Sequence, residues 1–381
     1  MTQSKTILIS TVTFIVICIG FNPTLSNASD LSSVIRDIHH PTSHNEIIEF
    51  KEHYYTFGID NLNGDYPLAI YRSKTGESWR LVADNFGNGR ASISGAIVFQ
   101  DRLYVAISNY GSDDTQVYVT SDGISFALVS QLDVLLNNSY ATDVQQLYIF
   151  QDELYILTSL ANQTIEAYKS NDGAEWEVID STGYIVNHAS DIRYQIFEQI
   201  AVTESEIFAV VPIDDLYHYA LLHSIDGINW SKINTTQNLP LTFTKQNTHL
   251  SLLAIDNKVY LVTPGPHSKG GKRFYDITGG EINRYNPEGL ESIRALSLMF
   301  NNSDAQGNYY GIGLNIDKQE RQRCIVKTND FISWSVQYCF ALDHTIRVEM
   351  PLNTLDYFYV AKDKIFILYM NSYKINLSNF D

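Results

Sequence analysis

The sequence predicts an all-β fold, a β-propeller of seven four-stranded antiparallel blades. A short turn motif that ends in an aromatic residue recurs along the 381-residue chain. Pairs of apolar or aromatic residues recur independently of it, at steps of about fifty residues, a period typical of propeller blades. Each repeat contains four β-type runs separated by polar turns, and no long helical pattern interrupts them.

The turn motif begins with Ser or Thr and usually contains Asp-Gly, a pair that favours tight turns because Gly adopts positive φ. Ser and Asp side chains can bond nearby backbone N–H groups, and the aromatic residue can pack beneath the turn. All four Trp residues of the chain stand at the last motif position. The motif residues are Ser73, Trp79, Asp122, Phe126, Ser170, Asp172, Trp176, Ser224, Asp226, Trp230, Asp330 and Trp334.

The residue pairs mark the second strand of each repeat. In repeat two, the predicted strands are Gly95–Phe99, Leu103–Ser108, Gln116–Thr120 and Phe126–Ser130. The seven pairs are Tyr54-Tyr55, Leu103-Tyr104, Leu154-Tyr155, Ile207-Phe208, Val259-Tyr260, Tyr309-Tyr310 and Ile365-Phe366.

Two repeats depart from the rule. In the fifth, Thr278-Gly279-Gly280 stands where the motif is expected. The seventh supplies three strands, the last at Tyr373–Leu377, and the N-terminal segment Ser33–Ile38 is expected to add the fourth. That pairing would close the ring and remove an open sheet edge. A six-bladed ring is the alternative.

Residues 1–29 have the pattern of a secretory signal peptide, with an apolar run from Ile7 to Phe21 and small residues before a cleavage site near Ala28. An uncleaved membrane anchor is the alternative. Residues 30–381 then form a single propeller domain, secreted or periplasmic, with no integral membrane segment after cleavage. The net charge of −17 disfavours binding to nucleic acid. We expect a monomer.

Cys324 and Cys339 flank the last motif. In an exported protein, such a pair predicts a disulfide, here between adjacent strands of one hairpin. Two buried thiols are the alternative.

The motif resembles the Asp box of the sialidase superfamily, although each copy here is one residue shorter than the family pattern. The resemblance implies a hairpin in a propeller blade. It also implies three arginines that clamp a carboxylate, a Tyr–Glu pair as nucleophile and an Asp as acid/base. The family's Phe/Tyr-Arg-Ile-Pro motif has no counterpart, because the nearest string, Ile35-Arg36-Asp37-Ile38, lacks the Pro.

The boxes lie on the face with the links between strands one and two. The opposite face, here called the loop face, collects the longer links, which are typical positions for functional residues. Candidate catalytic residues there are Arg193, Arg294, Arg347, Asp113, Asp214 and Tyr217. Candidate binding residues are Tyr110, Lys269, Lys272 and Arg273, the last three forming a basic spot suited to an anion.

Two functions follow from these observations. The first is an exported binding module that holds a glycan or an extracellular protein through the loop face. The second is a sialidase-like glycoside hydrolase. The fold does not decide between them, so whether the chain is an enzyme stays open. No His/Cys spacing indicates a metal site, and no cofactor motif is present in the sequence.

Overall fold

The computed structural model covers the repeats and the turns that join their strands. It describes residues 15–20, 47–59, 68–76, 79–86, 91–109, 114–132, 147–159, 164–185, 199–212, 219–233, 251–264, 272–297, 307–315, 322–341, 357–361 and 364–369. Within these ranges the chain is almost entirely β-strand, as the fifty-residue repeat of β-type runs and polar turns predicts.

The strands form six four-stranded antiparallel blades, each built from consecutive segments. Blade 1 contains β2 (Ile48–Phe50), β3 (His53–Ile59), β4 (Leu68–Ser73) and β5 (Arg80–Phe86). Blade 2 contains β6 (Ala91–Phe99), β7 (Arg102–Asn109), β8 (Asp114–Thr120) and β9 (Ala127–Leu132). Blade 3 contains β10 (Leu147–Phe150), β11 (Glu153–Ser159), β12 (Thr164–Ser170) and β13 (Glu177–Ile185).

The other three blades repeat this order. Blade 4 contains β14 (Gln199–Val202), β15 (Ile207–Pro212), β16 (Tyr219–Ser224) and β17 (Ser231–Lys232). Blade 5 contains β18 (Ser251–Ile255), β19 (Lys258–Pro264), β20 (Lys272–Asp276) and β21 (Asn283–Tyr285), with a 3₁₀ turn at Thr278–Gly280. Blade 6 contains β22 (Ile293–Ser297), β23 (Tyr309–Asn315), β24 (Gln322–Thr328) and β25 (Ser335–Ala341).

The prediction of seven four-stranded blades is wrong, and the six-bladed alternative is the observed one. In the described residues the last repeat supplies only β26 (Tyr357–Ala361) and β27 (Lys364–Tyr369). Their partner is β1 (Ile15–Gly20), which pairs antiparallel with β27 in a separate three-stranded sheet. An apolar pair marks a second strand but does not show how many strands follow it. The predicted strands Tyr373–Leu377 and Ser33–Ile38 lie outside the described residues.

The links between the first and second strands are here called the inner turns. In blades 1, 2, 3 and 5 each is a two-residue hairpin with positive φ at both residues, the type I′ geometry that suits the twist of antiparallel strands. Their residues are Lys51-Glu52, Gln100-Asp101, Gln151-Asp152 and Asp256-Asn257. The inner turn of blade 4 is longer, and Thr203 closes it by accepting the N–H of Glu206 at 3.0 Å.

The five motif segments are here called the box turns, and their side chains close the turn locally. In blade 4, Ser224 Oγ accepts the N–H of Gly227 at 2.9 Å. The Asp226 carboxylate accepts the N–H groups of Ile228 and Asn229 at 2.9 and 2.7 Å. Equivalent bonds occur in blades 2, 3 and 6.

Neighbouring blades are joined by contacts between the residue pair of one blade and the box turn of the next. Tyr55 and Tyr104 each end a residue pair, and each donates its hydroxyl to the box turn of the next blade. The acceptors are Gly123 O at 3.1 Å and Asp172 O at 2.8 Å. A Cβ at Gly123 would overlap Tyr55 Oη, so glycine is required by close packing as well as by positive φ.

The inner turns reinforce these junctions. Lys51 donates to Ser121 O, and Gln100 and Gln151 donate to Asn171 O and Ile225 O at 3.4 and 3.5 Å. Inner turns and box turns therefore lie on one face of the ring.

Blade 5 has no box turn, and its junction with blade 4 uses carboxylates instead. Glu206 accepts the N–H of Gly279 at 3.2 Å and lies 3.8 Å from His223 Nε2.

The predicted disulfide is confirmed. Cys324 and Cys339 are bonded and directly opposite each other on β24 and β25, within one hairpin of blade 6. A disulfide is typical of an oxidising, extracellular compartment. No helix in the described part of the chain is long and apolar enough to cross a membrane.

Candidate functional site

A cleft opens among the inner turns of blades 3, 4 and 5, on the same face as the box turns. Its volume is about 840 Å³, within the range of small-molecule and side-chain pockets. We call it the turn cleft. Its lining residues are Ile149, Gln151, Asp152, Val202, Thr203, Glu204, Ala254, Ile255, Asp256 and Asn257.

The rim of the turn cleft is acidic and polar. Asp152, Glu204 and Asp256 are exposed and come one from each blade. The hairpin geometry holds Asp152 and Asp256 in place, because both occupy the type I′ turns that connect paired strands. No Lys, Arg or His is among the lining residues.

The carboxylate of Glu204 is positioned by the neighbouring blade. Asn257 Nδ2 donates to Glu204 Oε2 at 3.1 Å, and the backbone N–H of Glu204 donates to Asn257 Oδ1 at 3.3 Å. This reciprocal pair fixes the amide of Asn257 with its oxygen toward the backbone of blade 4. The rim therefore has three exposed carboxylates, and the one from blade 4, Glu204, is oriented by Asn257.

The floor of the turn cleft is aliphatic. Ile149, Val202 and Ala254 are partly exposed and stand at similar positions on the first strands of three successive blades. Aliphatic surface beneath a charged rim suits a ligand with an apolar stem and a charged end.

The turn cleft was not predicted from the sequence. Functional residues were expected on the loop face, and the face of the box turns was interpreted as structural. The signal present in the sequence was the acidic residue in each short inner turn, as in Gln100-Asp101 and Gln151-Asp152. One such turn is ordinary, and only the ring shows that two of them and the longer inner turn of blade 4 surround one space.

Of the predicted catalytic residues, only Arg294 lies within the described part of the chain, so their convergence stays a prediction. Arg193, Arg347, Asp113, Asp214 and Tyr217 lie outside the described residues. Arg294 lies within β22, the first strand of blade 6, rather than in a link between blades.

The buried neighbour of Asp113 has a structural role. Asp114 begins β8 and is 2% exposed. Its carboxylate accepts hydrogen bonds from Asn109 Nδ2 at 3.1 Å and Gln131 Nε2 at 2.6 Å. These bonds hold the ends of three strands of blade 2 together, so Asp114 is a strand anchor.

Of the predicted binding residues, Tyr110 and Lys269 lie outside the described residues. Lys272 and Arg273 lie in β20 rather than in the preceding link. Arg273 is partly exposed, and its Nε is buried without a hydrogen-bond acceptor.

The box aspartates have unusually acidic carboxyl groups. Hydrogen bonds from the N–H groups of Ser125 and Ile124, and from Thr120, lower the pKa of Asp122 to about 2. Partial burial opposes ionisation of Asp226, but bonds from Asn229, Ile228 and Ser224 outweigh it and lower its pKa to about 2. Both carboxylates are thus ionised acceptors inside their turns, and neither can act as a general acid near neutral pH.

The tyrosines that end the residue pairs of blades 3 and 5 are protonated donors. Burial, followed by the charge of Glu153, raises the pKa of Tyr155 to about 12. Burial and nearby aspartates, led by Asp276, raise the pKa of Tyr260 to about 12. In the described part of the chain, no three His, Cys, Asp or Glu side chains are close enough together to hold a metal ion.

No protein-family model matches the chain, and no curated protein matches it. Solved structures with a similar backbone include a chain from a study of two prolyl endopeptidases, with a TM-score of 0.45 and 9% identity. That match covers 78% of this chain and 42% of the other, so the chain spans less than half the length of that protein.

Two further solved structures are similar. A protein from Lactobacillus plantarum has a TM-score of 0.48 and 10% identity, and the match covers 94% of this chain and 99% of that one. A beta-xylosidase, RS223, has a TM-score of 0.35 and 12% identity, with 66% and 94% of the two chains covered. We draw no functional conclusion from similarities at this level, and the resemblance to the sialidase superfamily stays a prediction.

Proposed function

We propose that this chain is an exported binding module whose partner is a protein segment that carries Lys or Arg. The observation that supports the proposal is the turn cleft, in which three blades place carboxylates around an aliphatic floor. A propeller ring is a general scaffold for binding or catalysis, so the function is inferred from the residues of the site and not from the fold.

The charge of the cleft selects the partner. Asp152, Glu204 and Asp256 supply three carboxylates, and no lining residue carries a basic group. The whole chain has a net charge of −17, which raises the encounter rate with a cationic surface and disfavours an anionic one. Specificity for a basic segment therefore arises both at the site and at long range.

The aliphatic floor of the cleft indicates that the ligand has an apolar part beside its positive charge. Lys and Arg side chains bury their methylene stems on apolar surface and keep the charged group at the edge. Ile149, Val202 and Ala254 provide such a surface below the three carboxylates. A glycan is the alternative partner, but the lining residues include no aromatic ring on which a sugar could stack.

The proposal is tested with a fluorescent peptide of alternating Lys and Ser and a matched Glu-Ser peptide, by fluorescence anisotropy at physiological salt. We expect Asp152→Asn and Asp256→Asn each to weaken binding of the Lys peptide about threefold, the size of one partly screened ion pair. Asp101→Asn is the matched control, because Asp101 has the same turn position in blade 2 and does not line the cleft.

Equal loss in the control, or equal binding of the Glu peptide, would contradict the proposal. The same variants are applied to an array of neutral and acidic glycans. Glycan binding that depends on Asp152, without peptide binding, would make the partner a glycan. Binding of either probe that depends on Lys269 and Lys272 instead would move the site to the loop face.

The sialidase-like hydrolase is the second candidate, and the box turns are the observation that favours it. That activity needs guanidinium groups that converge on a carboxylate beside a Tyr–acid pair. It is tested with a fluorogenic sialoside on the unmodified chain and on Arg193→Ala and Arg294→Ala. Hydrolysis that both substitutions abolish would establish the enzyme and displace the binding proposal.

A further inference from the structure

We propose that blade 5 carries a binding site for an oxyanion, formed by Arg273, Tyr275 and Arg284. The site lies on a different surface from the turn cleft and does not depend on it. Its ligand is a phosphate, sulfate or carboxylate group.

The strand register places the three side chains on one face of the sheet. Arg273 and Tyr275 are two residues apart on β20, so they point to the same side. Tyr275 is directly opposite Arg284 on β21, and directly opposite residues of an antiparallel pair share a face. Arg273 is diagonal to Arg284, a separation that two long side chains can span.

This face packs against blade 4. Tyr275 belongs to a core cluster with Val210, Leu221 and Ile233 of that blade. These neighbours are apolar and offer no acceptor through their side chains. Arg284 is exposed and Arg273 is partly exposed, so the two guanidinium groups lie where the interface between the blades meets solvent.

Two hydrogen-bond donors on this face have no acceptor. Arg273 Nε and Tyr275 Oη are both buried without a partner, and Tyr275 is 0% exposed. A buried donor left unpaired destabilises the folded chain, and the effect is larger for a charged group. An anion that accepts hydrogen bonds would satisfy both of these donors.

The sequence that leads into the site is basic, although the protein is acidic. The chain has a net charge of −17, yet Pro264–Tyr275 contains Lys269, Lys272 and Arg273 and no Asp or Glu. A guanidinium group presents several N–H donors and no acceptor, and it binds phosphate, sulfate and carboxylate in a planar, bidentate geometry. The phenol of Tyr275 adds a further donor.

The first experiment measures thermal unfolding of the chain in about 10 mM inorganic phosphate against NaCl of equal ionic strength. For a dissociation constant near 1 mM we expect phosphate to raise Tm by roughly 2 °C. Arg273→Met and Arg284→Met should abolish the shift, and Tyr275→Phe should reduce it. Arg80→Gln, an exposed arginine on the outer strand of blade 1, is the control and should keep it.

The sign of the effect without anion separates a ligand site from a structural role. In NaCl alone, Arg273→Met and Tyr275→Phe should leave Tm unchanged or raise it, because each removes an unpaired buried donor. A fall in Tm in NaCl would show that both groups already have acceptors in the folded chain, and it would overturn the proposal. An equal rise in Tm with phosphate in all variants would also overturn it, because phosphate that is merely excluded from the protein surface stabilises every variant alike.

Equilibrium dialysis identifies the source of the anion. Inorganic sulfate, N-acetylglucosamine 6-sulfate and N-acetylglucosamine are compared on the unmodified chain and on Arg273→Met. Equal binding of both sulfates indicates a free ion, and tighter binding of the sugar sulfate indicates a sulfated glycan. Failure of both sulfates to bind would overturn the proposal, whatever the Lys peptide does at the turn cleft.

Discussion

The box aspartates show how a residue that looks catalytic can be structural. Asp226 accepts two backbone N–H groups, the hydroxyl of Ser224 and the amide of Asn229 within its own turn. A carboxylate that accepts this many hydrogen bonds is a poor proton donor, and it holds the backbone of the turn in place. The low pKa values of these aspartates therefore reflect their role in stabilising the turns.

This gives a pH prediction for Asp226. Its pKa is about 2 in the folded chain and about 3.9 in an unfolded one. Because the folded pKa is the lower, the stabilisation is complete above pH 4 and is lost as the pH falls toward 2. We expect Asp226→Asn to lower the free energy of unfolding by about 1 kcal/mol at pH 6.

Urea unfolding at several pH values measures this. The difference between the unmodified chain and Asp226→Asn should shrink as the pH falls and vanish near pH 2. A difference that is constant with pH would show that the ionised form of Asp226 is not what stabilises the turn.

Phe331 provides a second prediction, because it stands where the other box turns have Gly. Its φ is 63°, a left-handed conformation that bulky residues rarely adopt. The ring is fully buried, with centroids 4.9 Å from Tyr260 and 5.0 Å from Trp334. We expect Phe331→Ala to cost about 3–5 kcal/mol, and Phe331→Gly about 1 kcal/mol less because Gly tolerates positive φ.

Chemical denaturation of both variants distinguishes packing from backbone strain. Gly227→Ala, which tests the same position in blade 4, should be destabilising because its backbone has φ 73°. If Phe331→Gly were less stable than Phe331→Ala, the left-handed geometry at this position would be refuted.

At the scale of single elements, much of the fold was predictable because strands and turns depend on nearby residues. The predicted strand Leu103–Ser108 is observed as Arg102–Asn109, and Gln116–Thr120 as Asp114–Thr120. An N-terminal strand was predicted to pair with the last repeat, but at Ser33–Ile38. The strand β1 was not predicted, because its residues have the apolar pattern of a signal peptide. The turn cleft was not predicted either, because it is formed by residues of three blades.

The inner turns allow a prediction at this scale. Asp101 has φ 57° in a type I′ hairpin, a position that Gly adopts without strain. We expect Asp101→Gly to raise the free energy of unfolding by about 0.5–1 kcal/mol, although Gly also makes the unfolded chain more flexible. Asp101→Ala is the control and should not stabilise, because Ala tolerates positive φ no better than Asp and lacks its local hydrogen bonding.

Across the whole molecule, the junctions between blades decide how the ring holds together. Blades 1, 2 and 5 each use a tyrosine hydroxyl to reach the next box turn. Blade 4 has Phe208 at the corresponding position, and its junction with blade 5 relies on Glu204 and Glu206. The ring is thus a series of nearest-neighbour contacts whose chemistry varies. In the described residues, the junctions of blades 3 and 4 and of blades 4 and 5 differ from the other three, because the Tyr155 hydroxyl contacts Glu153 of its own blade and blade 4 has Phe208.

The hydroxyl of Tyr104 tests this view. It donates to Asp172 O at 2.8 Å across the junction of blades 2 and 3. We expect Tyr104→Phe to cost about 1 kcal/mol and to speed hydrogen exchange in blades 2 and 3 more than in blade 5. Tyr155→Phe is the control, because the Tyr155 hydroxyl bonds its own blade at Glu153. Equal effects of the two variants would argue against a role in the junction.

The pairing of Ile15–Gly20 with Lys364–Tyr369 sets an order in time. The first partner leaves the ribosome well before the second, and roughly 20–70 s separate them at usual synthesis rates. The three-stranded sheet cannot form until β27 has been synthesised. If a peptidase cuts near Ala28 during export, β1 is removed before β27 has been synthesised. The edge of β27 that β1 would cover must then be covered by another segment of the mature chain.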